Sequence, residues 1–467
     1  MQTEITFILN HQIIRTKLNP ATVLLDFIRK KESLTGTKEV CKEGDCGACA
    51  VLLGAIIDNR IEYKTINSCL FPIEKVNGKH VVTIEGLNSK DLNPIQKSFL
   101  DEGASQCGFC TPGFIISFTG YLLNSQEFNL EKAINAVAGN ICRCTGYHSI
   151  IRSLKKVGDE FGKIDTEMLI NLGIVPKYFL NIPKDLKGLN QQKSHITNEN
   201  FNQIIAGGTD LFVQRPDELL HKKNIFSENL IPPGIKIESS QIVISGSATV
   251  SDLQIFLESQ SHIIELNKLF KLFASLPIRN SATIAGNLIN ASPIADLTIT
   301  LLAFDSELLL RNRAGNNKSI QLKNFYKGYK TLAKEENEYI KEIKFDLPKK
   351  YSKINFEKVS KRTHLDIASV NTAIYLDINS STIIDAHLSA GGVAPIPLLL
   401  HKTSEFLIGK TVSNDLIQKS VKIAGSEISP ISDIRGSAKY KSLLLQQLIK
   451  SHFMELFPQL VTPEVLA

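Results

Sequence analysis

The stretch Cys41–Cys49 reads Cys-Lys-Glu-Gly-Asp-Cys-Gly-Ala-Cys, and a fourth cysteine, Cys69, follows after nineteen more residues. Intervals of four and then two residues between the first three thiols are the plant-type ferredoxin spacing for a [2Fe–2S] cluster. Four thiolates must converge on two irons, so the loop carrying three of them has to wrap tightly. Gly44 and Gly47 suit such a loop, because glycine accepts positive φ and lets backbone N–H groups approach sulfur. A structural zinc site or free buried thiols are the competing readings. Zinc more often takes two Cys-x-x-Cys pairs, and three cysteines within nine residues are improbable as core packing. The stretch reads as an iron–sulfur loop.

A chain of 467 residues has room for roughly three domains, each with its own core. At 43% hydrophobic and 21% charged residues, its composition is that of an ordinary soluble globular protein. A net charge of +6 is small for this length and argues against a nucleic-acid footprint. No apolar run approaches the ~20 residues that cross a bilayer. Met1–Leu9 contains Glu4 and no basic n-region, so no signal peptide is expected and the cytoplasm is the expected compartment. All eight cysteines fall between residues 41 and 144. A disulfide-stapled secreted chain would spread them over its domains; here they make two groups of four.

Taken in order, residues 4–9 and 12–18 predict a hairpin and Val23–Lys31 a helix. Strands are expected over 50–57, 61–66 and 80–84. The expectation is a β-grasp, ferredoxin-like domain over residues 1–86. From Asn93 the pattern turns helical, with helices over 114–123, 130–137 and 149–157. Cys107, Cys110, Cys142 and Cys144 fall between them, as a Cys-x-x-Cys and a Cys-x-Cys pair. A Zn(Cys)4 site competes closely here, but beside a ferredoxin-type loop a second [2Fe–2S] centre is favoured, since two clusters in adjoining domains make a wire. Residues 87–165 are thus expected to form a four-helix bundle holding that second cluster.

Gln106-Cys-Gly-Phe-Cys-Thr-Pro-Gly113 and Gly139-Asn-Ile-Cys-Arg-Cys-Thr-Gly-Tyr147 resemble the second-cluster signatures of the molybdenum hydroxylases, the xanthine dehydrogenase and aldehyde oxidase family. Cys41, Cys46, Cys49 and Cys69 match that family's first cluster. His148 departs from the arginine or glutamine common there. Residues 166–200 read as a polar, exposed linker. Gln203–Leu211 runs as a strand into Gly207-Gly208, a turn that can present N–H groups to an anion but is not a dinucleotide fingerprint. With a second small-residue loop over 281–296, it resembles the paired FAD loops of the same family.

The resemblance implies an FAD-binding domain of two α+β subdomains over 201–350 and a C-terminal α+β flavoprotein module over 351–467. The whole is a multidomain α+β protein. By match, Ile204, Ile205, Ala206, Gly207, Gly208, Thr209, Asp210 and Leu211 would line the FAD diphosphate. Thr283, Ile284, Ala285, Gly286 and Asn287 would do so from the second loop. Asp296, Phe273, Ile340 and Lys358 are implied flavin neighbours. Ala285 stands where the family often has glycine, which is tolerable if its φ is negative. Taken singly, Phe273 and Ile340 read as core residues. Asp433, Arg435 and Tyr440 read as a salt-bridge and turn set rather than a catalytic one.

No Ser/His/Asp set, Walker loop or carboxylate pair stands out; the chemistry on offer is that of one-electron carriers and, as the resemblance implies, a flavin. The family oxidises substrate at a molybdenum–pterin centre in a region for which a chain ending at Ala467 leaves no room. The resemblance therefore implies a large molybdopterin-binding partner subunit in an α2β2 heterotetramer. That partner would hydroxylate hypoxanthine or xanthine to urate, with electrons leaving through both clusters and FAD to NAD+. Other expectations kept open are the same role for an aldehyde or another N-heterocycle, a stand-alone iron–sulfur flavoprotein reductase, and a zinc-stabilised binding module.

Overall fold

The computed structural model describes residues 4–189, 201–260, 266–379 and 381–461. The chain divides into two units, Met1–Ile225 with Ser275–Ser281, and Phe226–Ala274 with Ala282–Ala467.

Alternation along the first strands decides how the first unit is layered. Phe7, Leu9, Val51, Leu53 and Val81 put their side chains on one face of a sheet, against Leu24, Phe27 and Ile28. Ala50, Leu52 and Val82 point to the opposite face, against Phe114, Ile115 and Phe118. The strand order is Gln12–Thr16, Ile5–Leu9, His80–Val82, Ala50–Ile57, Arg60–Asn67. Ile5–Leu9 runs parallel to His80–Val82, and the other pairings are antiparallel. This is a β-grasp sheet. Its crossing helix starts as Leu24–Asp26 and widens to a π turn over Phe27–Lys31.

Four helices cover the other face, Pro94–Asp101, Thr111–Leu123, Leu130–Val137 and His148–Gly158. Asn93 and Gln96 close a capping box on the first. Ser98 and Ser153 each donate to the other's carbonyl, at 3.1 and 3.2 Å, and tie the first helix to the last. A Cβ on Gly120 would stand 2.7 Å from Leu52 Cδ2 and Thr65 Oγ1. The Thr111–Leu123 helix can lie this close to the sheet only with glycine there. Sheet and bundle therefore share one core.

Residues 166–189 differ from the expected linker. They fold as helix Thr166–Asn171, capped by Asp165, a 3-10 turn Lys177–Leu180 and helix Ile182–Gly188. Leu169, Ile174, Val175, Phe179, Ile182 and Leu186 are buried. Tyr178 Oη donates to Gly86 O at 3.0 Å. Widely spaced apolar anchors among Lys and Asn read as polar in sequence, yet they suffice to wrap a chain over a sheet edge. The remainder of the expected linker, 190–200, lies outside the described residues.

Among the described residues the second unit holds two larger antiparallel sheets and a two-stranded ribbon, Tyr326–Gly328 with Thr331–Leu332. One has the order Asn317–Gln321, Glu307–Asn312, Glu338–Asp346, Gln241–Ser245, Ile235–Glu238. The other runs Lys353–Val359, Val370–Asn379, Thr382–Gly391, Leu398–Leu399. Helices Asn414–Gly425 and Ala438–Leu456 close the second sheet, capped by Ser413 and Ser437. Helix Asp296–Ala303 is buried along its whole length. Ser389 Oγ donates to Ile299 O at 2.7 Å, so this helix is pinned to the second sheet. Ile354, Phe356 and Ala373 join the core of the first sheet, and the expected border at 350 is crossed by side chains.

Candidate iron–sulfur centres and flavin loops

The first cysteine loop is closed by main-chain geometry. Lys42, Gly44 and Gly47 all have positive φ, at 58°, 78° and 67°. Asn67 Nδ2 donates to Gly44 O at 2.7 Å, and Ser68 Oγ donates to Cys49 O at 2.7 Å. Cys69 follows in a short 3-10 turn, Ser68–Leu70, and reaches Cys49, with 3.4 Å between sulfurs. Cys41 and Cys46 form the other close pair. The Cys46 thiol beside Cys41 holds it down to about 4, with help from the Glu43 N–H and against burial. The proton is correspondingly held on Cys46. Cys69 likewise lowers Cys49 and is itself raised. In each pair the shared sulfur hydrogen bond favours ionisation of one thiol over the other.

The second set forms where two helices begin. Cys110 is the N-cap of Thr111–Leu123, with Cys107 three residues earlier. Cys142 and Cys144 precede His148–Gly158, whose N-cap Tyr147 is left-handed at φ 72°. Tyr147 Oη accepts from the Cys142 N–H at 3.1 Å, and Thr145 Oγ1 lies 3.2 Å from Cys142 Sγ. Burial opposes ionisation of Cys142, but hydrogen bonds from Thr145 outweigh it and its thiol is lowered. Cys110, its neighbour, is pushed up to about 12 by burial and by Cys142. Cys144 and Cys107 pair with 3.7 Å between sulfurs. His148 is exposed at the first position of its helix, where its side chain is free of the core.

These distances test which metal group fits. Bonded disulfides need ~2.05 Å, and all eight cysteines are free. Two sulfurs bound ~2.3 Å from one tetrahedral metal stand about 3.8 Å apart, close to the 3.4 and 3.7 Å found. The thiols gather two and two. Among the described residues no three Cys, His, Asp or Glu side chains converge on one point as a single ion requires. A cluster of two irons, each taking two thiolates, fits both sets.

The first flavin loop starts from strand Gln203–Ile205. Ile205 is buried, while Ile204, Ala206, Thr209 and Leu211 are half-buried and Asp210 is exposed. Gly207 and Gly208 are buried, and Gly208 has φ 80° with the Phe212 ring 2.9 Å from where a Cβ would stand. In the second loop Thr283 Oγ1 accepts from Gly286 N at 3.1 Å and opens helix Ile284–Asn290. Ile284 and Ala285 send their side chains into the core, so Ala285 has helical, negative φ and its methyl is accommodated. Gly286 and Asn287 are the partly exposed members.

Asp296 and Lys358 meet each other. Their side chains are 8% and 3% exposed and 2.6 Å apart. Asn371 Nδ2 donates to the other carboxylate oxygen at 2.5 Å, and Lys358 Nζ donates to Leu272 O at 2.9 Å, next to Phe273. Burial pushes the Asp296 carboxyl up, and Lys358 and Asn371 only partly offset it. Phe273 packs on the core and Ile340 lies within it. Asp433 accepts from Lys441 Nζ at 2.6 Å and from Arg435 N at 2.8 Å, a turn held by an ion pair, while Tyr440 is on the surface.

Comparison with known proteins follows the same division. Residues 83–155 match a [2Fe-2S] binding domain, 178–349 an FAD binding domain in molybdopterin dehydrogenase, and 356–456 a CO dehydrogenase flavoprotein C-terminal domain. The chain belongs to the molybdenum hydroxylase family. Xanthine dehydrogenase 1 of Arabidopsis thaliana is 28% identical over 88% of this chain and 36% of its own length. Xanthine dehydrogenase of Calliphora vicina is 26% identical over 99% and 40%. The chain thus spans well under half the length of these relatives. A carbon monoxide dehydrogenase chain from Hydrogenophaga pseudoflava, in a form lacking the Mo-pyranopterin moiety, shares the fold over 55% of this chain and 90% of its own. Its TM-score is 0.51 and its identity 24%. Among the described residues no helix is long and apolar enough to cross a membrane.

Within this molybdenum hydroxylase chain, several supporting residues have no signal in their type alone. Asn67 and Asn140 close the cysteine loops by side-chain donation to main chain. Ser275–Ser281 belongs to the first unit although the second flavin loop begins two residues later. A Cβ on Gly44 would stand 2.6 Å from Ile278 Cδ1, and one on Gly139 would stand 2.8 Å from Ser275 Cβ. Asn280 Nδ2 donates to Thr65 O at 2.9 Å. Only the double use of small residues around the cysteines hinted at such close approach.

Proposed function

We propose that the chain is the iron–sulfur and flavin subunit of a two-subunit, cytoplasmic xanthine dehydrogenase. Its role is to relay electrons from a molybdenum centre on a large molybdopterin-binding partner to FAD and then NAD+. The observation that carries this reading is the gathering of eight thiols into two sets, each made of two close pairs, within one unit. Cys107, Cys110, Cys142 and Cys144 hold the entry cluster, and Cys41, Cys46, Cys49 and Cys69 the second. When bound, the clusters pass single electrons and FAD collects two.

The residues divide the work by exposure. Cys107 and Cys144 are exposed, with Phe109, Ile141 and Tyr147 as exposed apolar neighbours in sequence, which suits a docking rim for the donor subunit. Cys49 and Cys69 are buried, which keeps water from the second centre. On the flavin side, residues 204–211 of the first unit offer main-chain and small polar contacts to a diphosphate, and in the second unit Gly286 and Asn287 are the small, partly exposed residues of the other expected loop. The Asp296–Lys358–Asn371 set ties its loop to the Leu272 carbonyl beside Phe273, and Ile340 supports this side from the core. The names of the relatives, xanthine dehydrogenases, support xanthine as substrate; hypoxanthine as a further substrate, urate as product and an α2β2 assembly follow from the family resemblance.

Purification of the complex from its native source, with iron, sulfide, flavin and molybdenum analysis, tests this. About four irons and four labile sulfides per chain are expected, with FAD, a molybdenum-bearing partner and xanthine-dependent NADH formation. A solitary active flavoprotein, or a colourless zinc protein, overturns the reading. Turnover of an aldehyde or another heterocycle in place of xanthine overturns its substrate only.

A further inference from the structure

The two cysteine loops are joined to each other by two hydrogen bonds. Ile141, the residue before Cys142, donates its N–H to the carbonyl of Cys46 at 3.0 Å. Asn140, buried at 3% exposure, donates from Nδ2 to the carbonyl of Gly47 at 3.0 Å. Its Oδ1 accepts from Ser117 Oγ at 2.7 Å, so the amide is oriented from the Thr111–Leu123 helix that Cys110 caps. The junction is packed without slack. A Cβ on Gly113 would stand 2.5 Å from Gly47 O, and a Cβ on Gly47 would stand 2.5 Å from Asn140 Nδ2 and from Gly139 O. Three glycines and one oriented amide therefore bring a ligand of one set and the residue beside a ligand of the other into direct main-chain contact.

We propose that Asn140 is a positioning residue for transfer between the two centres, holding the bridge that runs from the Cys46 carbonyl through the Ile141 N–H to Cys142. This rests on the reading of both sets as [2Fe–2S] sites. In the step it serves, one electron leaves the iron pair held by Cys107, Cys110, Cys142 and Cys144, which is oxidised. It arrives at the pair held by Cys41, Cys46, Cys49 and Cys69, which is reduced; no proton moves and no bond is made or broken. Asn140 touches neither iron set. It fixes the separation and alignment of the main-chain path, and a polar side chain buried here with both ends engaged has no other partner to serve.

The variant Asn140→Asp keeps the shape and the acceptor for Ser117 but turns a donor toward Gly47 into a second acceptor. Full-length chain, with its partner, is loaded with clusters and reduced with dithionite. Iron content is expected to match the parent. Transfer between the centres should slow by about ten-fold or more, the scale of a small misplacement of reacting groups. The spin–spin splitting of the doubly reduced state should also change. Ser117→Ala should shift both readouts in the same direction and less. In unloaded chain, the Ile141 amide should exchange with solvent about ten-fold faster in Asn140→Asp. Unchanged splitting and rate per loaded chain, whatever the stability loss, overturn the proposal. If Asn140→Asp does not fold, Ser117→Ala decides alone by the same readouts. Parent chain that takes up no iron overturns the cluster reading itself, which is a separate outcome.

Discussion

The two units keep their functional groups in place by different means. In the first, loops with little regular structure are closed by single side-chain amides and hydroxyls, Asn67, Ser68, Asn140 and Ser117, acting on main-chain carbonyls and on one another. In the second, the expected flavin-side residues, Phe273, residues 283–287 and Ile340, grow out of a large apolar core and one buried ion pair, Asp296 with Lys358. The difference teaches what each unit tolerates. Loops closed by hydrogen bonds should fail locally, at the metal. A loop anchored by a buried charge pair should fail with its whole unit.

The largest effect is expected at a thiol. Cys110→Ser removes one ligand of the entry set, and iron should fall from about four to about two per chain while FAD stays bound. Substrate oxidation should then stop with electrons held at molybdenum. Iron and flavin analysis with rapid-mixing reduction checks this, and intact turnover would sink the route. Asp296→Ala comes next. Among the described residues it leaves a 3% exposed ammonium with Leu272 O as its remaining acceptor. Breaking a buried pair on one side costs about 3–5 kcal/mol. Denaturant unfolding should show the loss in the second unit, and cluster content should be unchanged. Equal loss of iron would dissolve the contrast between the units.

How much of this was legible follows from where the chemistry resides. The cysteines could be read because the ligand is the side chain and its spacing is the signal. The expected flavin loops would act through main chain and small residues, so Gly207-Gly208 alone said little and the resemblance supplied the rest. Lys358 and Asp296, each expected beside a flavin, turned out to be partners of each other, which no local pattern encodes across 62 residues. Asn140 stood inside a recognised motif, yet its role depends on a loop 93 residues away. Helices at 166–189 were missed because their buried positions are few and separated by Lys and Asn.

A smaller substitution sharpens the contrast within the first unit. Gly113→Ala would put a methyl 2.5 Å from Gly47 O, costing about 1–3 kcal/mol by overpacking and lowering cluster occupancy. Gly103→Ala is the control. That glycine, unlike the helical Gly113, has positive φ, at 64°, but nothing lies within 4 Å of the added carbon. It should cost about 1 kcal/mol through backbone strain alone and leave iron content intact. Equal iron loss in both would mean the loop responds to general stability, not to the junction.

The smallest effect, and the one that compares the units on equal terms, is the response to acid. Among the described residues each unit buries one histidine, His80 in the first and His452 in the second. His80 accepts from Tyr63 Oη at Nδ1, at 2.9 Å, and donates from Nε2 to Asn10 O, at 2.8 Å. Burial holds it down to about 4, with the Asn10 carbonyl pulling the other way. His452 accepts from Asn355 Nδ2 at 3.0 Å and donates to Thr372 Oγ1 at 2.8 Å, and burial holds it down to about 3. Both folded values lie below the unfolded ~6.5, so the unfolded chain binds more protons through that window. The stability each provides is complete above about 6.5 and falls by up to ~1.4 kcal/mol per pH unit as pH drops. For His80 the loss ends near 4 and for His452 near 3. Other groups titrate in the same range, so the difference between parent and variant isolates each histidine. His452→Gln should flatten the acid slope of the second unit's unfolding and leave the first unit's slope alone, and His80→Gln should do the reverse. If either substitution flattens both slopes, the two units do not unfold independently, and the assignment of separate failure modes to cluster loops and flavin loops must be given up.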